Sequence, residues 1–303
     1  MADLRYDDRV AVITGAGRGL GAAYAKLLAS RGAKVVVNDP GVSMSGDGVD
    51  NGPAQQVVDE IKAAGGIAVA NTDSIATPEG GESLIRTAMD HYGRIDILIH
   101  NAGIVRRAPL REMSYEDFDS VLDVHLRGGF HVVRSAFPHM CDAGYGRIVL
   151  TGSIGGLYGN RDVVNYCTAK AGLIGLSNVA AIEGEEHGVK CNIILPAAVT
   201  RMADGLDTSQ YPPMDPELVA PAVAWMAHEN CTITGEMMTS IAGRIARAYV
   251  AENAGVYQPS WTIEQVAEQI DAIRNTEEPL IFSPVPSGHV DHLRYSFTMA
   301  SKG

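Results

Sequence analysis

A glycine-spaced turn directly after an apolar run constrains this chain more than any other feature. Val10, Ala11, Val12 and Ile13 lead into Thr14-Gly15-Ala16-Gly17-Arg18-Gly19-Leu20-Gly21. Small residues where a strand turns into a helix let the backbone approach a pyrophosphate. The helix start adds free N–H groups and a positive dipole end. The cofactor-binding candidates in this turn are Gly15, Arg18, Gly19 and Leu20. A glycine turn with no ligand is the alternative; its place after a first strand favours a dinucleotide.

Short apolar runs alternate with helical patterns along the rest of the chain. Strands are expected at 10–13, 34–38, 67–71, 95–99, 147–151, 190–195 and 236–240. Helices are expected from the glycine turn to Arg31 and over 54–64, 82–92, 115–140 and 165–186. Near-continuous apolar strands separated by helices predict an α/β fold, a parallel sheet covered on both faces. Right-handed crossovers make it a single doubly wound, seven-stranded Rossmann sheet. Residues 1–245 are expected to form this Rossmann domain. Residues 246–303 read as a helical extension packing on it or on a partner subunit. In the extension, Thr262 and Gln265 form a capping box, and Ile263, Val266, Ile270 and Ile273 share a helical face over 261–275. Residues 39–51 read as an inserted polar loop, and 203–216 as a mobile segment over the carboxyl end of the sheet.

Composition narrows the partners. The 303-residue chain carries a net charge of -12, which disfavours nucleic acid and anionic membrane surfaces. It has no apolar run of 18 or more residues, and residues 1–9 lack a signal-peptide core. Cys141, Cys167, Cys191 and Cys231 show no CxxC pair. They read as reduced thiols of a cytoplasmic protein, and no metal site is expected. The chain ends Ser301-Lys302-Gly303, which departs from a peroxisomal Ser-Lys-Leu address at its last residue.

A second pattern lies downstream. Ser153 is followed thirteen residues later by Tyr166, and four residues after that by Lys170. Tyr166 and Lys170 share one helix face at this spacing. An ordinary tyrosine titrates near 10, too high for a base near neutral pH; a nearby ammonium, together with the positive nicotinamide of an oxidised cofactor, favours phenolate. Tyr166 then exchanges a proton with an alcohol or ketone oxygen, and Ser153 hydrogen-bonds the same oxygen. Lys170 also suits ribose hydroxyls. A tyrosine and lysine at this spacing occur by chance on many surface helices; the dinucleotide turn upstream gives the pair its meaning.

Other residues bear on the cofactor. Asp39 ends the second expected strand, where an acid hydrogen-bonds both ribose hydroxyls and repels a 2′-phosphate. That favours NAD over NADP, against the contrary pull of Arg18; loop capping is the alternative role for Asp39. Asp73 and Ser74 after the third strand suit the adenine end, and Asn101-Ala102-Gly103 lets the backbone pass close to the cofactor. Ordinary turn chemistry accounts for either equally well. Ile154, Leu157, Tyr158, Met202 and Leu206 are candidate pocket walls, with Arg106 or Arg107 for an anionic ligand.

The glycine turn, Asn101-Ala102-Gly103, Ser153 and Tyr166-Cys167-Thr168-Ala169-Lys170 together resemble the short-chain dehydrogenase/reductase family, over about residues 8 to 245. The resemblance implies NAD(P), oxidation at a CH–OH group, and a homodimer or homotetramer. It adds Pro196 and Thr200 near the nicotinamide. His125 stands where the family places an asparagine that relays protons to the lysine; a structural histidine is the alternative. Asp123-Val124-His125-Leu126-Arg127-Gly128, Val37-Asn38-Asp39, Ile182-Glu183-Gly184 and Tyr158-Gly159-Asn160 are similar, more narrowly, to the dehydrogenase part of the type 2 peroxisomal multifunctional enzymes. That likeness implies (3R)-hydroxyacyl-CoA as substrate, in fatty-acid or sterol side-chain β-oxidation. A 17β-hydroxysteroid dehydrogenase or general carbonyl reductase is the alternative.

Overall fold

The computed structural model describes residues 3–43, 52–199 and 211–302. It divides into two compact units, Met1–Arg247 and Ala248–Gly303. The first holds the sheet. Its strands are β1 (Val10–Thr14), β2 (Lys34–Asn38), β3 (Ile67–Asn71), β4 (Ile97–His100), β5 (Gly146–Thr151), β6 (Val189–Ala197), β7 (Met237–Ile241) and β8 (Arg244–Ala248). They lie in the order β3-β2-β1-β4-β5-β6-β7-β8. The pairings from β3 through β7 are all parallel. All seven expected strands are present, and the eighth is an addition. Ala242 and Gly243 both take positive φ between β7 and β8, the backbone of a tight hairpin turn.

The helices of this unit are α1 (Gly19–Ser30), α2 (Gly52–Ala63), α3 (Pro78–Tyr92), α4 (Tyr115–Leu122), α5 (Gly128–Asp142), α6 (Ile154–Tyr158), α7 (Val164–Gly184) and α8 (Ala220–Ala227). Every residue of β1, β4 and β5 is buried, as a sheet covered on both faces requires. Strand order reverses between β1 and β4, so a crevice opens there at the carboxyl ends of the strands. The register brings Thr14 level with Asn38 of β2 and His100 of β4 at that crevice.

The expected helix over 115–140 is interrupted. Between α4 and α5 the residues Asp123–Arg127 form a π turn, in which the Gly128 amide reaches back to the Asp123 carbonyl. Such wide turns redirect side chains and often mark functional positions.

The opposite end of the sheet is closed by charge. Asp96 is buried and accepts from Arg9 at 3.1 Å, from Arg94 at 2.6 Å and from the Val10 amide at 2.9 Å. Tyr145 lies between two guanidinium groups, Arg9 at 3.8 Å and Arg147 at 4.4 Å from the ring centroid.

The second unit carries α9 (Ile263–Glu268), α10 (Ile270–Ile273) and α11 (Gly288–Lys302). Thr262 and Gln265 form the expected reciprocal capping box. The single helix expected over 261–275 is two short ones, broken where Gln269 leaves helical geometry. Helix α11 lacks a sequence counterpart above, because its apolar residues Val290, Leu293 and Phe297 are few and exposed.

Candidate active site

The glycine turn builds a close approach between β1 and the segment after β4. Gly15 has a φ of +61, and a Cβ there would sit 2.7 Å from the Ala102 Cα. A Cβ on Gly21 would sit 2.2 Å from the Gly15 carbonyl oxygen, so α1 can start this tightly only with glycine. The Thr14 hydroxyl oxygen accepts from the Asn101 and Ala102 amides, both at 3.0 Å. Asn101 Nδ2 donates to the Gly15 carbonyl at 3.0 Å. These bonds hold the two chain reversals together as one wall.

Asp39 is buried beside that wall. Its Oδ2 accepts from the Gly17 amide at 2.9 Å and its Oδ1 from the Gly41 amide at 2.8 Å. A carboxylate oxygen that accepts one amide retains capacity for a hydroxyl. The cleft beside it, about 350 Å³, is lined by Gly15, Arg18, Gly19, Leu20, Asp39, Ser74, Asn101, Ala102 and Gly103, all anticipated from sequence. Asn38, Ile75, Ser120, Asp123 and Val124 also line it and were not anticipated. Asn38 and Ile75 carried a positional signal, as neighbours of Asp39 and Ser74; Ser120, Asp123 and Val124 reach the cleft only through the packing of the segment around His125. A glycine cradle, a buried acid and helix-start amides fit a dinucleotide on chemical grounds.

Other expectations fare differently. Asp73 does not line the cleft; its carboxylate is held by Asn71 Nδ2 at 2.9 Å, in a chain that continues through Asn38. Pro196 is half-buried within β6 and also lies outside that lining. Thr200, Met202 and Leu206 fall outside the described residues, as do parts of the two expected loops. Arg106 lines the cleft and pairs with Asp117 at 3.1 Å, whereas Arg107 is exposed away from it. Ile154 and Tyr158 are solvent-exposed, and Leu157 is half-buried.

The structure brings Ser153, Tyr166, Lys170 and His125 together. Ser153 caps α6, its hydroxyl oxygen accepting from the Gly155 amide at 3.0 Å. Tyr166 stands on the first turn of α7, its amide held by the Asn165 side-chain oxygen at 2.8 Å. Asn165 in turn donates to the carbonyls of Arg106 at 3.0 Å and Asp117 at 3.1 Å. Lys170 is buried, and its Nζ donates to the Thr151 carbonyl at 2.5 Å. The ammonium lies 5.5 Å from the Tyr166 ring centroid. The His125 ring meets the same tyrosine ring edge-on, with centroids 5.2 Å apart.

The electrostatics divide the two influences expected on Tyr166. Burial raises the Tyr166 hydroxyl above its ordinary value, opposed by its hydrogen bond with Ser153. Lys170 does not offset this, because burial pushes Lys170 itself down to about 7. The protein alone therefore keeps Tyr166 as a phenol near neutral pH. His125 is held neutral by burial and then by the Lys170 charge.

A wider surface cleft, about 570 Å³, opens among Arg5, Arg94, Tyr145 and Glu229 and contains none of these residues. Among the described residues, no helix is long and apolar enough to cross a membrane.

The family model described as short chain dehydrogenase matches residues 9–210. The peroxisomal multifunctional enzyme type 2 of Drosophila melanogaster is 48% identical over 271 residues, covering 88% of this chain and 45% of that protein. A protein of Mycobacterium tuberculosis named as a short-chain type dehydrogenase/reductase is 44% identical over 249 residues, covering 82% of this chain and 87% of that one. The solved full-length Drosophila melanogaster multifunctional enzyme superposes with a TM-score of 0.81 at 38% identity, covering 98% of this chain and 50% of that one. The chain thus spans about half the length of the multifunctional relative.

Proposed function

The chain belongs to the short-chain dehydrogenase family, and from that premise we propose that it oxidises (3R)-hydroxyacyl-CoA to 3-ketoacyl-CoA with NAD. The observation that carries this reading is the gathering of Ser153, Tyr166 and Lys170 beside the cleft of Asp39, in a chain 48% identical to a multifunctional enzyme over 88% of its length.

Asp39 binds both hydroxyls of the adenosine ribose and excludes a 2′-phosphate. The amides of the 15–20 turn face the pyrophosphate, and Lys170 uses N–H groups not given to Thr151 to hold the second ribose. The nicotinamide ring supplies the hydride acceptor when bound, and its positive charge adds the pull toward phenolate that Lys170 alone does not exert.

Tyr166 Oη takes the substrate hydroxyl proton. The Ser153 hydroxyl, whose oxygen already accepts from Gly155, directs its own proton at the substrate oxygen and steadies the charge that develops there. His125 stands in a relay that carries the proton on past Lys170, which gives up one proton as it receives another. Among the described residues the His125 Nδ1 is buried without a hydrogen-bond partner, which suits a relay position. Because Tyr166 is the base for oxidation and the acid for reduction, oxidation quickens and reduction slows as pH rises.

Four free cysteines fit a reducing, cytoplasmic setting, and a homodimer or homotetramer completes the proposal. The test is formation of reduced cofactor with a (3R)-hydroxyacyl-CoA, its (3S) isomer and a 17β-hydroxysteroid. Turnover of the (3R) thioester well above both others supports the reading. Turnover of the steroid alone replaces the thioester as substrate, and faster turnover with NADP overturns the role given to Asp39.

A further inference from the structure

The place of His125 depends on a residue outside the proposed catalytic set. His100 ends β4 and is fully buried. Its Nε2 lies 2.8 Å from the His125 carbonyl oxygen, and its Nδ1 lies 3.1 Å from the Thr14 hydroxyl. A carbonyl only accepts, so Nε2 carries the proton and Nδ1 is the acceptor in the neutral ring. The Thr14 oxygen already accepts from two amides, which leaves its own proton for Nδ1. Both contacts select the same tautomer.

The His125 carbonyl sits inside the π turn Asp123–Arg127. There it accepts from a side chain of the sheet. Room for that contact comes from Gly129, where a Cβ would lie 3.1 Å from His100 Cδ2 and 3.2 Å from Nε2. The His125 ring is then fixed from its other side. Its Nε2 lies 2.8 Å from the Ile104 carbonyl oxygen and 3.1 Å from the Ile104 amide, and a Cβ on Gly103 would come within 2.1 Å of Cε1.

We propose that His100 is a positioning residue. By holding the His125 carbonyl it sets the π turn that places the His125 ring against Tyr166, and through Thr14 it ties that placement to the cofactor turn. The proposal rests on the active-site reading above. It concerns how the relay residue is held, not which alcohol is oxidised.

The test is a double-mutant cycle on kcat with His100→Phe, which keeps a ring but removes both hydrogen bonds, and His125→Ala. Whichever secondary alcohol the wild type oxidises serves as substrate. Alone, His100→Phe lowers kcat by roughly 10- to 100-fold, the scale of a misplaced catalytic group. In the His125→Ala background it lowers kcat by no more than about twofold, because a residue acting through His125 has nothing left to act on. Falls that multiply, or a His100→Phe variant with wild-type kcat, overturn the proposal. Should His100→Phe fail to fold, the same cycle is run with His100→Gln, which retains an N–H donor: a fall in kcat below about 10-fold that vanishes in the His125→Ala background is expected, and a fall that persists there overturns the proposal. Nitrogen-15 NMR of the cofactor-free wild type gives an independent reading. A neutral His100 with its proton on Nε2 at pH 7 is expected; the Nδ1–H tautomer or a cation contradicts the geometry. That measurement needs no substrate, so it separates a failure here from a wrong substrate assignment.

Discussion

Gly17 and Asp39 are fitted to each other: the Gly17 amide donates to Asp39 Oδ2 at 2.9 Å, and a Cβ on Gly17 would lie 2.8 Å from that same oxygen. The acid is thereby held at the mouth of the cleft by backbone amides on both carboxylate oxygens. A hydrogen bond to a charged group contributes about 1.5–3 kcal/mol. Asp39→Ser is therefore expected to weaken NAD binding about 10- to 100-fold and to move the NAD:NADP preference toward NADP. Fluorescence titration with both cofactors checks this. An unchanged ratio would mean that Arg18, not Asp39, governs the choice.

Lys170 couples stability to pH. Its folded value, about 7, lies below the ordinary lysine value of 10.5. Between the two, the unfolded chain holds a proton that the folded chain has shed, so this group makes folding more favourable as pH rises. Below about 7 both states are protonated and the burial penalty is present in full. Lys170→Met removes the group. Whatever the constant effect of losing the bond to Thr151, wild type should gain on the variant by up to about 1.4 kcal/mol per pH unit above neutrality. Urea unfolding of both proteins at three pH values measures this. A difference independent of pH would contradict the buried position of the ammonium.

Asp96 anchors the far end of the sheet through two arginines and the Val10 amide. Asp96→Ala takes a partner from two guanidinium groups, of which Arg9 keeps Glu229, and leaves the buried Val10 amide unpaired. The arginines are partly exposed and partly rehydrate, so the expected loss is about 3 kcal/mol. Thermal unfolding should show a clear drop, with catalysis by the folded fraction near wild type because the site lies at the opposite strand ends. A drop in kcat at unchanged stability would refute the separation of the two ends.

Much of this was legible beforehand because it depends on local pattern. Gly15, Gly19 and Gly21 mark a strand-to-helix turn wherever they follow an apolar strand. Tyr166 and Lys170 share a face by helical period alone. Asp39 needed only its place at a strand end. What was not legible depends on tertiary contact. No spacing announces that His100 holds the His125 carbonyl, since the two meet only after β4 and α5 pack. The π turn follows from that contact and reads in sequence as an unbroken helix. The share of Lys170 in the titration of Tyr166 was not legible either. Sequence places an ammonium four residues away, but only the packed structure buries both groups and lowers the ammonium's own affinity for its proton. Strand β8 eluded the pattern as well, its residues being mostly exposed and broken by two arginines.

The central claim is that Tyr166 is the acid/base of an NAD-linked alcohol oxidation, and Tyr166→Phe addresses it most directly. The variant keeps the ring that His125 touches and loses only the hydroxyl. Turnover of a (3R)-hydroxyacyl-CoA would be followed by the absorbance of reduced nicotinamide, with NAD binding measured separately. The account predicts a fall in kcat of roughly 10²- to 10⁴-fold with NAD affinity nearly unchanged. A variant that retains a tenth or more of wild-type kcat would show that the proton travels by another group.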